Sequence, residues 1–324
     1  MSIFSAVRKK WGSDLEDIIV DYPFIFGYYK KGLHRFVKIS DYHKKGKYNT
    51  DNWGCVWYNS HGGYEGQVVE HPIASYDALK EYEPPDPLKY TERGKQHWRG
   101  KKIALWWLRR KNRLTAGSGE RLFDRLYFLR GFNNLMVDFA RDDPNLPKLI
   151  KMLEEHELKM VKKWLTYNVD IVNFHTDIGT QSRLMIRPEK FRQYIKPMFK
   201  SIFQTCRKAG SHVYLSSDGH LLEIVDDLIE CGVSVHDPQA RANTLEGIKK
   251  HYKGKMCVDL DLDRQLFPFA SPDEIKEHIY KAVELLNSPE GGFMMKAEIS
   301  DMNVPLENIR AICDAFMETC CPER

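Results

Sequence analysis

No apolar run in the chain approaches the roughly 20 residues that a membrane-spanning helix needs. The stretch Met1 to Trp11 mixes charge with short apolar pieces and lacks the apolar core of a secretory signal. These absences lead to the expectation of a cytoplasmic protein with no membrane partner. Charge of one sign is scarce as well. The 49 basic and 45 acidic residues leave a net charge of +4, too little to imply a nucleic-acid partner. The local cluster Arg109, Arg110, Lys111 and Arg113 reads as a solvated face. The seven cysteines are odd in number and form no CxxC pair, which argues against a disulfide framework and for reduced thiols. Cys320 and Cys321 read as part of a frayed tail. Neither GxGxxG nor GxxxxGK[ST] stands between a strand and a helix, so the usual signs of a dinucleotide or P-loop fold are missing.

What is present suits one large α/β domain. The 324 residues are normal for an α/β barrel, and 42% hydrophobic residues can fill a sizeable core. We expect one domain over 1–324, with residues 1–100 as an aromatic-rich N-terminal part and 101–324 as the main run of βα units. In the first part, Gly54–Trp57 and Gly66–Glu70 read as two short strands joined through Gly62 and Gly63. Pro84, Pro85 and Pro87 break regular structure, and Lys102–Trp107 reads as a buried strand.

From about residue 140 the rhythm is regular. Leu149, Ile150, Leu153, Leu158, Val161 and Leu165 recur at helical spacing. Strands are expected at 170–174, 212–215, 233–235, 255–258 and 292–295, with helices between them. Gly210 stops one helix, and Ser271-Pro-Asp-Glu274 opens another with a serine cap and an acidic first turn. Alternating βα units predict a parallel sheet covered by helices. Periodicity alone leaves a closed barrel and an open doubly wound sheet both open.

In either arrangement reactive groups lie past the carboxyl ends of strands. Those positions are polar here: His175 and Asp177, then Ser216, Asp218 and His220, then His236 and Asp237, then Asp259, Asp261, Asp263 and Arg264, and last Lys296 and Glu298. Five successive strand ends thus carry carboxylates. Gathered in one cavity, some must be protonated, paired or metal-bound. The competing reading is that individual acids cap helices, as Asp218 before Leu221 or Asp263 in its own loop would.

Several segments resemble the uroporphyrinogen decarboxylase superfamily. They include Asp177-Ile-Gly-Thr-Gln181, Leu184-Met-Ile-Arg-Pro-Glu189 with Phe191 and Lys196-Pro197, Ser217-Asp-Gly219, Phe267-Pro-Phe269 and Pro305-Leu-Glu-Asn-Ile309. Upstream, Asp51-Asn-Trp-Gly54, Gly66–Pro72 and Phe128-Leu-Arg-Gly131 fit as well. The resemblance runs from about Trp53 to Ala315, and the order of the motifs carries it. It implies a (β/α)8 TIM barrel with a cleft at its carboxyl mouth, the short hairpin belonging to an N-terminal extension. That superfamily holds uroporphyrinogen decarboxylases and corrinoid-linked methyltransferases. The arginine-rich Arg-Gln-Ala-Gly-Arg segment of the decarboxylases is not among the first hundred residues. The zinc methyltransferases carry His-x-Cys-Gly and a distant Cys, where zinc stabilises a thiolate. Ser216, Asp218 and Glu298 occupy those three positions here. A soft zinc site therefore does not fit, and a harder cation, a protonated carboxyl or a cationic substrate suits the oxygen groups better.

The resemblance implies methyl transfer between a small O- or N-methyl compound and a corrinoid protein, with the chain as a possible homodimer. Asp177, His175, Asp218 and Glu298 are the catalytic candidates. Asp218 and Glu298, with Cys257 or Ser216, are the metal candidates. Ser216, His220, His236, Asp261, Arg187 and Arg264 are the substrate-binding candidates. Two alternatives stand beside this reading. One is a decarboxylase of a carboxylated tetrapyrrole or other ring, with Asp177 as acid. The other is a non-enzymatic tetrapyrrole or corrinoid binder, stacking its ligand on Trp53, Trp57, Tyr58, Tyr64, Trp106 and Trp107.

Overall fold

The computed structural model describes residues 41–61, 66–299 and 303–320. Met1–Trp11, Gly62, Gly63, Tyr64 and Cys321, each used in the sequence reading, lie outside them. The N-terminal part forms a three-stranded antiparallel sheet of β1 (Lys47–Thr50), β2 (Val56–Asn59) and β3 (Gln67–Glu70). The expected hairpin is the β2–β3 pair, with Trp57 opposite Val68. β1 joins it on the other side of β2. A small hairpin follows, β4 (Tyr90–Thr91) with β5 (Gly94–Lys95).

The main sheet has six parallel strands among the described residues: β6 (Ala116–Ser118), β7 (Ile171–His175), β8 (His212–Ser216), β9 (Val235–His236), β10 (Cys257–Asp261) and β11 (Phe293–Lys296). Each strand pairs with the one before it in sequence. This order is that of a (β/α)8 barrel, whereas a doubly wound sheet reverses at a switch point. Six strands of the barrel sheet are found among the described residues, and β1–β3 form a separate sheet. Along β7 the side chains alternate: Val172 and Phe174 are buried under the helices, and Asn173 and His175 face the other way. Phe174 meets Phe203 of the helix Lys196–Lys208 with ring centroids 4.8 Å apart.

The segment Lys102–Trp107 is not a strand. It lies inside the helix Trp98–Arg110, of which only Leu105 is buried. Its lysines, leucines, alanine and arginines are good helix formers, and a short apolar run does not by itself distinguish the two. The strand comes later, at β6, and its Gly117 is there for space. A Cβ on it would sit 2.6 Å from the Trp164 ring. The helix from Pro188 is also less regular than its sequence suggests, with a π-helical turn at Phe191–Ile195.

A buried ionic knot ties the N-terminal sheet to the barrel. Arg125, on the helix Leu122–Arg130, is wholly buried and reaches Asp51 at 3.2 Å, Glu92 at 2.7 Å and Glu120 at 3.0 Å. The indole N–H of Trp53 donates to Glu120 at 3.0 Å and that of Trp57 to Asp51 at 2.9 Å. Both tryptophans are core residues, so they are not available to stack on a flat ligand.

Glu157, on the helix Leu146–Leu165, is buried beside this knot. One of its oxygens accepts the Glu120 amide at 3.0 Å, and the other has no partner. Burial, with the Glu120 charge, pushes its carboxyl up to about 8. A carboxyl raised in the folded state contributes its stability at low pH and loses it as pH rises towards about 8. Glu157→Gln is expected to leave stability at pH 5 nearly unchanged and to remove the decline between pH 5 and 8. Urea midpoints across that range check this, and parallel pH profiles for the two proteins would refute it.

Candidate active site

The glycines of two strand-end motifs bring the candidate acids together. Gly179, past β7, and Gly219, past β8, pack backbone on backbone, and a Cβ on Gly179 would lie 2.7 Å from the His220 nitrogen. Gly219 also has a positive φ of 90°, which disfavours any other residue. The contact fixes one loop on the other. Across the seam the Asp218 amide donates to the Asp177 carboxylate at 3.0 Å.

Two groups of side chains meet here. In the first, the Arg264 guanidinium holds Asp261 at 2.5 Å, Glu298 at 3.0 Å and Asp218 at 3.3 Å. Asp218 and Glu298 therefore share one site, as the sequence reading required. Burial, then neighbouring Asp177, raises the Asp218 carboxyl. Burial pushes Asp261 up to about 6 against the pull of Arg264 and Lys296. In the second group, the Ser216 hydroxyl lies 3.2 Å from His175 Nδ1 and donates to Asp237 at 2.7 Å. Lys296 also donates to Asp237, at 2.5 Å, and Tyr214 donates to Asp259 at 2.7 Å. Burial opposes the Lys296 charge, but Asp237, Asp261 and Asp259 raise its affinity for the proton.

Between the groups stands a residue that the sequence reading missed. Asp124 is buried on the helix Leu122–Arg130 and accepts the Asp177 amide at 2.9 Å. Burial, and then the Asp177 charge, push its carboxyl up to about 7. Ligand atoms of Asp124, His175 and Asp177 all lie within 4.8 Å of one another. The only signal in the sequence is an aspartate among the apolar residues of Leu122–Leu129, where a surface position would have no such company.

Other candidates lie elsewhere. His236 points away from the strand-end acids. It is fully buried, stacked on Tyr252 at 5.6 Å, with neither ring nitrogen partnered, and burial pushes it down to about 4. Its neighbour Asp237 takes the position facing Ser216. Cys257 begins β10, whereas Asp261 ends it, so Cys257 lies at the wrong end of the strand to join Asp218 and Glu298. A metal on those two acids is disfavoured for a second reason: the Arg264 cation already occupies the place between them. The cluster with metal-ligand geometry is Asp124, His175 and Asp177. Arg187 lines a separate hollow of about 450 Å³ with Phe132, Met136 and Leu184. His220 is turned to the Ala242 carbonyl at 2.9 Å. Asp263 accepts the Gln265 amide at 3.1 Å, a local loop role.

Two hollows adjoin the acids. One, of about 360 Å³, is bordered by His175, Arg121, Glu92, Gln96 and Trp53. The other, of about 520 Å³, is bordered by Asp218, Arg264, Thr180, Gln239 and Phe269. A larger open hollow of about 970 Å³ beside Pro84–Pro87 touches none of these acids. The constellation is thus acidic, with buried carboxyls that hold protons near neutrality, and its cations Arg264, Lys296 and Arg121 are each engaged by carboxylates.

Among solved structures, the chain is similar to a methyltransferase from Methanosarcina mazei, with 17% identity over 82% of this chain and 76% of that one and a TM-score of 0.58. At that identity the likeness speaks for the fold. A D-psicose 3-epimerase aligns with 7% identity over 69% of this chain and 84% of that one, at a TM-score of 0.41, too low to bear on this site. Among curated protein sequences none matches the chain. The sequence model described as uroporphyrinogen decarboxylase (URO-D) matches residues 57–319, and with most of its length matched, the chain belongs to the uroporphyrinogen decarboxylase family.

Proposed function

We propose that this protein is a methyltransferase that moves a methyl group between a small O- or N-methyl compound and a corrinoid carried by a partner protein. The observation that carries the reading is the charge of the site. Asp124, Asp177, Asp218, Asp237, Asp261 and Glu298 gather where the cations Arg264 and Lys296 are already paired. A substrate with several carboxylates, such as a porphyrinogen, would meet repulsion there. A methylated amine or a methyl ether would not.

A corrinoid supplies a strong nucleophile for the methyl carbon. The residues of this chain act on the other end of the bond. When the methyl–heteroatom bond breaks, its electron pair stays on the oxygen or nitrogen, which must take a proton or be held by a Lewis acid. Burial and the Asp177 charge raise the Asp124 carboxyl to about 7, and Asp177 and the more exposed His175, with ligand atoms within 4.8 Å of it, are the groups that would pass its proton on. The same three residues would hold a divalent cation of intermediate hardness, should one serve as the Lewis acid. The soft zinc set of the thiol-activating relatives finds no thiolate at Ser216, Asp218 or Glu298, and no step is assigned to it.

The test is direct. Purified protein, cob(I)alamin and a panel of O- and N-methyl donors are expected to give methylcob(III)alamin by absorbance. No conversion with any donor, even with a matched corrinoid protein present, would overturn the proposal. Carbon dioxide release from a porphyrinogen would replace it with the decarboxylase reading.

A further inference from the structure

We propose that the helix Trp98–Arg110 docks the protein onto an anionic lipid surface, leaving the strand-end cleft turned to solution. The helix packs through Trp98, Lys101, Leu105 and Leu108 and exposes the rest. Ile103, Trp106 and Trp107 are 67%, 52% and 54% exposed, and Leu114 just beyond is 73% exposed. Positions 103, 106, 107 and 110 follow the i, i+3, i+4, i+7 spacing of one helix face. Two adjacent exposed indoles on one short helix are more than the scattered apolar residues of an ordinary surface.

Charge surrounds this face on one side only. Residues 93–119 contain nine lysines and arginines and no acidic residue, in a chain whose overall charge is only +4. The Arg110 guanidinium lies 4.2 Å over the Trp106 ring, and Lys111 lies 5.9 Å over that of Trp107. Apolar side chains with indoles, flanked by cations, are what a helix lying at a headgroup layer requires. The indoles enter the boundary region and the cations meet lipid phosphates.

The first turn of the helix, at Lys101, borders the hollow beside His175, and its last turn lies away from the chemistry. Arg109, in the last turn, donates to the carbonyls of Tyr167 and Asn168 at 2.5 and 2.8 Å, in the loop that enters β7. That is the amino end of the strands, opposite the acids. A corrinoid protein must reach the acids, so this face is not where it acts. A second copy docked two-fold on this face would set its exposed cations, such as Lys102, Arg110 and Lys111, against their own copies. The patch is the exposed face of a single helix, which suits a fluid surface better than a shaped protein pocket. No helix among the described residues is long and apolar enough to cross a membrane. Surface attachment does not need one, and it departs from the expectation of no membrane partner.

The full-length protein should be mixed with vesicles of phosphatidylcholine alone and of phosphatidylcholine with phosphatidylglycerol, at low and high salt. Co-sedimentation with the anionic vesicles, a blue shift of tryptophan emission and release by salt are expected. Trp106→Ala with Trp107→Ala should abolish the blue shift. Arg110→Glu with Lys111→Glu should weaken partition by at least about tenfold. Both variants alter exposed side chains, and unchanged circular dichroism and thermal midpoint will show that they fold. No binding to anionic vesicles, equal binding to neutral ones, or undiminished binding by both variants would overturn the proposal. So would binding to soluble polyglutamate without vesicle binding, or self-association lost on removing the two tryptophans.

Discussion

Replacing Arg125 with alanine is expected to cost about 3–5 kcal/mol of folding stability, a large share of what a domain has. The reason is the set of carboxylates left behind. Asp51, Glu92 and Glu120 all converge on this one buried guanidinium. Burial pushes the Glu120 carboxyl up, but Arg125, the Arg121 amide and His156 together hold it below its usual value. Such a group contributes stability above its unfolded pKa, near 4.5, and loses it as pH falls. Arg125→Ala should therefore also remove the acid-side loss of stability that Glu120 produces. Urea unfolding at pH 7 and pH 4 reads both effects. Adding Glu120→Gln and Asp51→Asn should recover part of the loss, because the stranded charges go with them. A midpoint for Arg125→Ala within about 0.5 kcal/mol of the parent, the range of an ordinary surface change, would show that the knot holds nothing.

The second large effect concerns turnover. Asp124→Asn keeps the shape of the side chain and its acceptor for the Asp177 amide, but it cannot supply a proton. Methyl transfer should fall by about 10²–10⁴-fold, the usual contribution of a positioned acid. In the parent the rate should decline as pH rises through about 7, where the Asp124 proton is lost. In the variant that limb should be flat. Stability should move the other way: a carboxyl raised in the folded state destabilises it once ionised, so Asp124→Asn should be the more stable protein above pH 7. A variant with parental turnover would remove Asp124 from the proton route, and one that lost both activity and stability would assign it a structural role.

The sequence disclosed the fold where local and global signals agree. The capping box at Ser271 and Glu274, the stop at Gly210 and the apolar stripe of Leu146–Leu165 each mark a real boundary or face. It also disclosed that Asp218 and Glu298 would meet, because strand ends in a parallel sheet converge. It left Arg264 open between a substrate contact and a pairing with neighbouring carboxylates, and in the structure Arg264 pairs with three acids of its own chain. His236 illustrates the opposite failure. A two-residue strand leaves inside and outside undetermined by pattern, and a shift of one position exchanges the faces. Asp124 was invisible for another reason. It lies in the first turn of the helix after β6, and with the strand expected at Lys102–Trp107 the carboxyl end of β6 was not among the expected strand ends. The segment Lys102–Trp107 was misread because its apolar run is real but serves the surface.

The seam between Gly179 and Gly219 sets a boundary for anyone who would redesign this site to accept other ligands. The two loops it joins behave as a single machined part, and any side chain added at the join would pry Asp177 from Asp218. Variation has to be introduced elsewhere. Gln265 and Phe269, the latter 87% exposed at the edge of the second hollow, are the adjustable side of the jaw.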